Sequence, residues 1–213
     1  MKIENIKSLS IAEIKSISFA RFVDERGYFT ETIRPQDLQQ LTEVPIFSQV
    51  TWQQTNESYS IANVVRGLHF QWDNHMGKLV RAIEGRLIDL MMDIRLGSQT
   101  YGKIIGQSLY YDPTETYQEW IWIPPGFAHG FVAITDCRIE YICTSTWSPK
   151  TERAISLLDP TIDWSMMEKE LVDAVKRVLT NPIIADKDRN GLTLSSWQTS
   201  DDAKIYMQTL PKV

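Results

Sequence analysis

From Tyr101 to Trp147 the chain is written as short runs of β-branched and aromatic residues: YGKIIGQSLYY, EWIWIPP, GFAHGFVAIT and RIEYICTSTW. Gly, Pro and Asp punctuate them, most clearly at Asp112 and Pro113. Short strand-forming runs at regular spacing are the pattern of an all-β sandwich or barrel.

The flanks extend this pattern. Between about Ser16 and Thr32, β-type residues surround DERG and predict two strands meeting at Gly27, and PQDLQQL, with Pro35 early, predicts one or two helical turns. Residues 47–71 read as strand, polar loop QTNESYS, strand. VVRGLHFQWDNHMGKLVRAIEGRLIDLMMDIR, residues 64–95, reads as a hairpin of buried strands with EGR at 84–86 as its tight turn. Late in the chain, SMMEKELVDAVKRVL spaces Met166, Leu171, Val175 and Val178 near a 3.6 period, with Lys176 and Arg177 at the end that the helix dipole favours. It predicts an amphipathic helix over about 165–181.

No repeat, low-complexity stretch or linker divides the 213 residues. The expectation is one domain, 1–213, mainly β: a jelly-roll barrel or sandwich with a few peripheral helices, including the C-terminal amphipathic one. A net charge of -5 argues against nucleic-acid and anionic-membrane partners, which favour a basic face. The N-terminus has no continuous apolar core and no stretch gives eighteen apolar residues, so a cytoplasmic protein without a membrane partner is expected. Cys137 and Cys143, six apart without C-x-x-C spacing, read as reduced packing residues.

The segment 64–95 nevertheless carries Arg66, His69 and Lys78 among its valines and leucines. Arg66 and His69 have opposite parity, so an ideal strand would send them to opposite faces. Gly67 between them suggests a bulge, which would turn both inward beside Lys78. A lone histidine or lysine in a strand is more often an edge residue or a satisfied core group. Three cations in so short an apolar stretch are costly to bury unless an anionic ligand, or an anion formed during reaction, compensates. Arg81 reads as structural. The pattern P-x-G-x-x-H at 124–129, ending in His129, is similar to one in cupin barrels, where a metal often binds. Here His69-Phe70-Gln71 lacks the second histidine of the usual pair, and His75 lies in a polar turn. Three or four inward ligands are required, so no metal is expected.

Taken in order, DERGYFTET (24–32), QTNESYS (54–60), VVRGLHFQ (64–71), GKLVRAIEGRLIDLMMDIRLGSQTYG (77–102), IPPGFAHGF (123–131), YICTSTWSP (141–149), DPTIDW (159–164) and IIADKDRN (183–190) resemble the dTDP-4-dehydrorhamnose 3,5-epimerases, cofactor-independent and metal-free cupins of nucleotide-sugar biosynthesis. The resemblance implies inversion of the carbons flanking the ketone of a nucleotide-linked 4-keto-6-deoxyhexose. It implies His69 as base, Asp188 as its carboxylate partner, Lys78 as the cation meeting the enolate and Tyr141 as the acid on the opposite face. Arg26, Phe29, Glu31, Gln54, Asn56, Arg66, His129 and Lys187 match substrate-binding positions. The same resemblance implies a homodimer in which an N-terminal strand carrying Arg26 to Glu31 completes the neighbour's pocket.

The sequence departs from the pattern of that family in places. The loop between His69 and Lys78 is one residue shorter, Met76 stands where a glutamine is common, and Ala185 replaces a serine. Thr146 and Trp147 replace a Tyr-Tyr pair, so an aromatic bordering the sugar is expected to be lost or moved. The helix near 165–179 fills a usually shorter connection. Open alternatives are inversion at C3 alone, a keto-heptose substrate, a metal-dependent cupin oxygenase or isomerase, and a non-catalytic sugar-nucleotide binding module.

Overall fold

The structure, a computed structural model, describes residues 1–211. Two six-stranded sheets face each other. The first runs β1 (Ile3–Ser8), β2 (Lys15–Ala20), β10 (Tyr117–Ile123), β7 (Lys78–Glu84), β12 (Cys137–Cys143) and β5 (Gln54–Ser60). The second runs β13 (Glu152–Ala154), β6 (Val64–Gln71), β11 (Phe127–Ala133), β8 (Arg86–Asp93) and β9 (Ile104–Tyr110), with β14 (Ile183–Ile184) parallel to β6. A separate ribbon pairs β3 (Phe22–Asp24) with β4 (Gly27–Phe29). This is the mainly β jelly-roll sandwich that the strand spacing predicts, open at its ends rather than closed into a barrel.

Both outer faces are covered, which explains apolar runs with little alternation. Val80, Ala82, Ile121, Ile139, Leu87, Met91, Phe127 and Phe131 meet between the sheets. On the outside of the second sheet, Leu68, Ile88, Leu90, Ala128 and Val132 pack under α2 (Lys169–Leu179), α4 (Leu194–Thr199) and α5 (Asp201–Thr209), which contribute Val175, Val178, Trp197 and Tyr206. Outside the first sheet, Leu79, Trp120 and Trp122 are capped by Leu38 of α1 (Pro35–Leu38) and by Ile46 and Phe47 of a 3-10 turn. The middle strands β8, β10 and β11 therefore bury residues of both parities.

Three expectations need correction. Residues 64–95 are not a hairpin: β6 and β8 lie in the second sheet, both beside β11, while β7 lies in the first. The EGR turn, with Gly85 at φ +67°, carries the chain from one sheet to the other, and a Cβ there would sit 1.9 Å from the Asp136 carbonyl oxygen. QTNESYS is strand β5, paired along its length with β12. Its polarity had the look of a loop because its inward residues, Gln54, Asn56 and Ser58, face a cavity rather than a core. Helix α2 starts at Lys169, four residues after Ser165, with Met166 still packed on the core between the sheets from the preceding turn. Helices α4 and α5 carry no strong periodicity and were not anticipated; a Thr193 capping box starts α4.

Candidate active site

The predicted bulge is present. On β6, Arg66 pairs with Phe131 and His69 with His129, so three steps on β6 match two on β11. The extra residue restores parity: Val65, Leu68 and Phe70 join the core beneath the helices, while Arg66 and His69 line one cavity. Gly67 has φ +96°, and a Cβ on it would meet the His129 carbonyl oxygen at 2.7 Å. Only glycine fits a backbone so close to its neighbour.

The cavity, about 360 Å³, lies between the inner faces of both sheets. It brings together His69, Lys78, Tyr141, Gln54, Asn56, Arg66, His129 and Lys187 of the anticipated residues. β7 delivers Lys78 on the same parity as Val80 and Ala82, and β12 delivers Tyr141 opposite Asn56 of β5. Arg66 donates to Ser60 Oγ at 2.9 Å and to the Tyr59 carbonyl at 3.1 Å.

Asp188 stands behind His69 rather than in the cavity. It belongs to α3 (Asp186–Arg189), which follows directly on β14, and pairing of β14 with Val64 and Val65 sets that turn against β6. Its Oδ1 lies 2.6 Å from His69 Nε2, and its Oδ2 accepts the Gly67 N–H at 3.0 Å. Burial raises the carboxyl's pKa, but the His69 and Gly67 hydrogen bonds and the nearby Lys187 outweigh it and hold the group below its ordinary value. An ionised carboxylate only accepts, so the neutral His69 ring is the tautomer with its proton on Nε2 and its lone pair on Nδ1.

Burial pushes the Lys78 ammonium down, with Cys143, Glu152 and Asp89 opposing the shift. Among the described residues Lys78 forms no ion pair, which leaves its charge available to a ligand. Burial also raises the Tyr141 hydroxyl, which remains protonated across the neutral range.

Other residues in the site were not foreseen. Asp89 is fully buried on β8 and accepts from His129 Nε2 at 2.7 Å, making a second His–Asp pair beside the first; burial lowers the His129 pKa despite that partner. An acid inside RLIDLMM was a legible signal, since a buried charge demands a partner. Glu152 on β13 joins Lys187 Nζ at 3.0 Å and Trp147 Nε1 at 3.0 Å. Burial raises this carboxyl, but Lys187, His69 and Trp147 together bring it below its ordinary value. The backbone N–H of Trp147 donates to Gln54 Oε1 at 2.8 Å, and the residue lines the cavity with its side chain about half exposed at the mouth, so an aromatic does border it. Of the two outcomes expected, an aromatic lost or moved, the loss is excluded.

Arg26, Phe29 and Glu31 do not join this cavity. Arg26 pairs with Asp24 at 2.6 Å, Phe29 is 65% exposed, and Glu31 binds the N-terminus and Arg34. Arg81 is structural, bound to Glu140 at 2.7 Å over the Trp120 ring. His75 lies on the far side of its loop against Thr209. Cys137 and Cys143 are free and buried. Among the described residues no three His, Cys, Asp or Glu side chains gather in a metal-binding group, and no helix is long and apolar enough to cross a membrane.

A family model described as dTDP-4-dehydrorhamnose 3,5-epimerase matches residues 8–196. The chain is 37% identical over 189 residues to the dTDP-4-dehydrorhamnose 3,5-epimerase of Methanothermobacter thermautotrophicus, spanning 87% of this chain and 89% of that one. A crystal structure of the dTDP-6-deoxy-D-glucose-3,5-epimerase of Legionella pneumophila, in complex with dTDP-4-keto-L-rhamnose, matches with a TM-score of 0.77 at 32% identity, covering 98% of both chains. A 4-keto-6-deoxy sugar epimerase from Streptomyces spheroides matches with a TM-score of 0.74 at 26% identity, covering 99% of this chain and 94% of that one.

Proposed function

The chain belongs to the dTDP-4-dehydrorhamnose 3,5-epimerase family, and from that membership we propose that it is an isomerase inverting C3 and C5 of a dTDP-linked 4-keto-6-deoxyhexose without a cofactor. The observation that carries this proposal is one cavity holding an imidazole oriented by a buried carboxylate, a desolvated ammonium and a neutral phenol.

Hydrogens at C3 and C5 are acidic because the C4 ketone takes up the charge left by their removal. His69 Nδ1 withdraws one such proton, and the resulting imidazolium is stabilised by the Asp188 carboxylate at Nε2. The electron pair moves to the C4 oxygen as an enolate beside the Lys78 ammonium, a charge interaction that the dry site strengthens; loss of a stabiliser of this kind typically slows turnover by about 10²–10³-fold. Tyr141 then donates its hydroxyl proton to the opposite face of the carbon, giving the inverted centre. Arg66 and Lys187 supply the positive charge for the diphosphate, which the acidic chain must concentrate locally, and the Trp147 indole offers a planar face to the base.

The protein works as a homodimer in the cytoplasm in this reading. Among the described residues β5 pairs on one side only, with β12, and borders the cavity, while the exposed β3–β4 ribbon carries Arg26 and Phe29 away from their own cavity. Two free buried cysteines fit a reducing compartment.

The test is incubation of the purified protein with a dTDP-4-keto-6-deoxyhexose in heavy water. Deuterium is expected at both C3 and C5; label at C3 alone would establish a single-centre epimerase, and binding without any label would leave a binding module.

A further inference from the structure

Three residues of helix α5 tie it to segments that line the cavity. At its first turn Asp202 pairs with Arg153 at 2.7 Å, next in sequence to Glu152. In the middle, the buried Tyr206 hydroxyl accepts the Gly126 N–H at 2.7 Å, three residues before His129, and its ring packs edge-on against Phe70 beside His69. At its last turn Thr209 Oγ1 meets His75 Nε2 at 2.8 Å.

His75 lies in the segment 72–77, which runs from the strand of His69 to the strand of Lys78 and places Met76 on the cavity wall. The Thr209 hydroxyl donates to the Ile205 carbonyl at 2.9 Å, so it accepts the proton on His75 Nε2. His75 Nδ1 is buried without a partner, and the imidazole packs edge-on against Tyr206 with centroids 4.8 Å apart. On the opposite side, a Cβ at Gly77 would fall 2.4 Å from the Trp122 ring and 3.2 Å from Pro125. The segment is held between α5 and the turn that leads to His129, with no space to shift toward that turn.

We infer that His75 is a positioning residue: through Thr209 and Tyr206, α5 holds segment 72–77 and thereby sets the depth at which Lys78 enters the cavity. The effect on turnover rests on the epimerase function proposed above, whereas the clamp itself does not. Release of the segment lets Lys78 retreat from the oxygen that becomes anionic, and a misplacement of about 1 Å can cost a hundredfold in rate.

Two measurements on the full chain test this. Amide hydrogen exchange reports whether residues 73–77 lose protection in His75→Ala and Thr209→Val while β6, β8 and β11 keep theirs. Label exchange at the substrate carbons should fall about ten- to a hundredfold in kcat in the same variants, with KM changing less. His75→Gln, whose side-chain amide can donate from near the position of Nε2, should recover most of the rate. Unchanged protection of 73–77, or lost protection with unchanged kcat, would overturn the inference. If the wild-type protein moved no label, the epimerase function would fail while the amide data still judged the clamp.

Discussion

Asp188 accepts the Gly67 N–H through Oδ2, and that bond determines which of its oxygens meets His69. The bulge that turns His69 inward thus also presents the donor that orients its partner carboxylate.

Asp188→Asn should abolish most activity while preserving the fold. The amide oxygen will stay with the Gly67 N–H, which needs an acceptor, and the amide nitrogen will then donate to His69 Nε2. The ring proton moves to Nδ1 and the base is lost. A fall on the order of 10³–10⁴-fold is expected, as for a catalytic imidazole held in the wrong tautomer. Steady-state kinetics and the imidazole nitrogen shifts by NMR check it; a variant within tenfold of wild type would refute the tautomer assignment.

The alkaline limb of the kcat profile should belong to Lys78. Burial lowers its pKa and raises that of Tyr141, so as pH rises the ammonium loses its proton below the ordinary lysine value of 10.5 while the phenol keeps its own. Lys78→Arg, whose guanidinium does not titrate in this range, should shift that limb upward in whatever activity remains. A limb left in place would assign it to another group.

Tyr141→Phe should separate two events that occur together in the wild type. Proton loss to His69 continues, so label still washes into the starting sugar, while net inversion drops about 10²–10⁴-fold. Proton NMR distinguishes labelled substrate from labelled product, and an equal loss of both would remove Tyr141 from the role of acid.

Gly130→Ala should destabilise the protein. A Cβ there would lie 2.2 Å from the Arg66 carbonyl oxygen, a backbone atom that cannot swing aside. Overpacking of this kind costs about 1–3 kcal/mol, or roughly 2–4 °C of Tm per kcal/mol for a chain of this size. Calorimetry measures it; an unchanged Tm would mean that β6 and β11 separate easily.

Mixing Arg26→Ala with His69→Ala subunits should restore activity if Arg26 serves the neighbour's site. Random reassociation makes half of the dimers mixed, each with one intact site, so about a quarter of the wild-type rate should return. No recovery from two inactive variants would place Arg26 in its own subunit's site, and an Arg26→Ala protein active by itself would place it outside catalysis.

Strand spacing and turn residues determined the sandwich, because a chain of short β segments broken by Gly, Pro and Asp has few other ways to bury its apolar faces. The bulge at Gly67 was also legible, since Arg66 and His69 cannot share an interior without an extra residue between them. Partner strands were not: residues 64–95 could be read only as adjacent strands, whereas the fold sends β7 to the other sheet, because Gly85 can turn tightly against the Asp136 carbonyl. QTNESYS is ambiguous for a related reason, as polarity cannot distinguish a solvent-facing loop from a strand facing a polar-lined cavity. Motif resemblance indicated that Asp188 belongs with His69, but only tertiary structure brings them to 2.6 Å, by adding β14 to β6 across 119 residues of sequence. Local sequence thus determines which elements form, and long-range pairing determines which side chains share a cavity, since that depends on contacts no local pattern encodes.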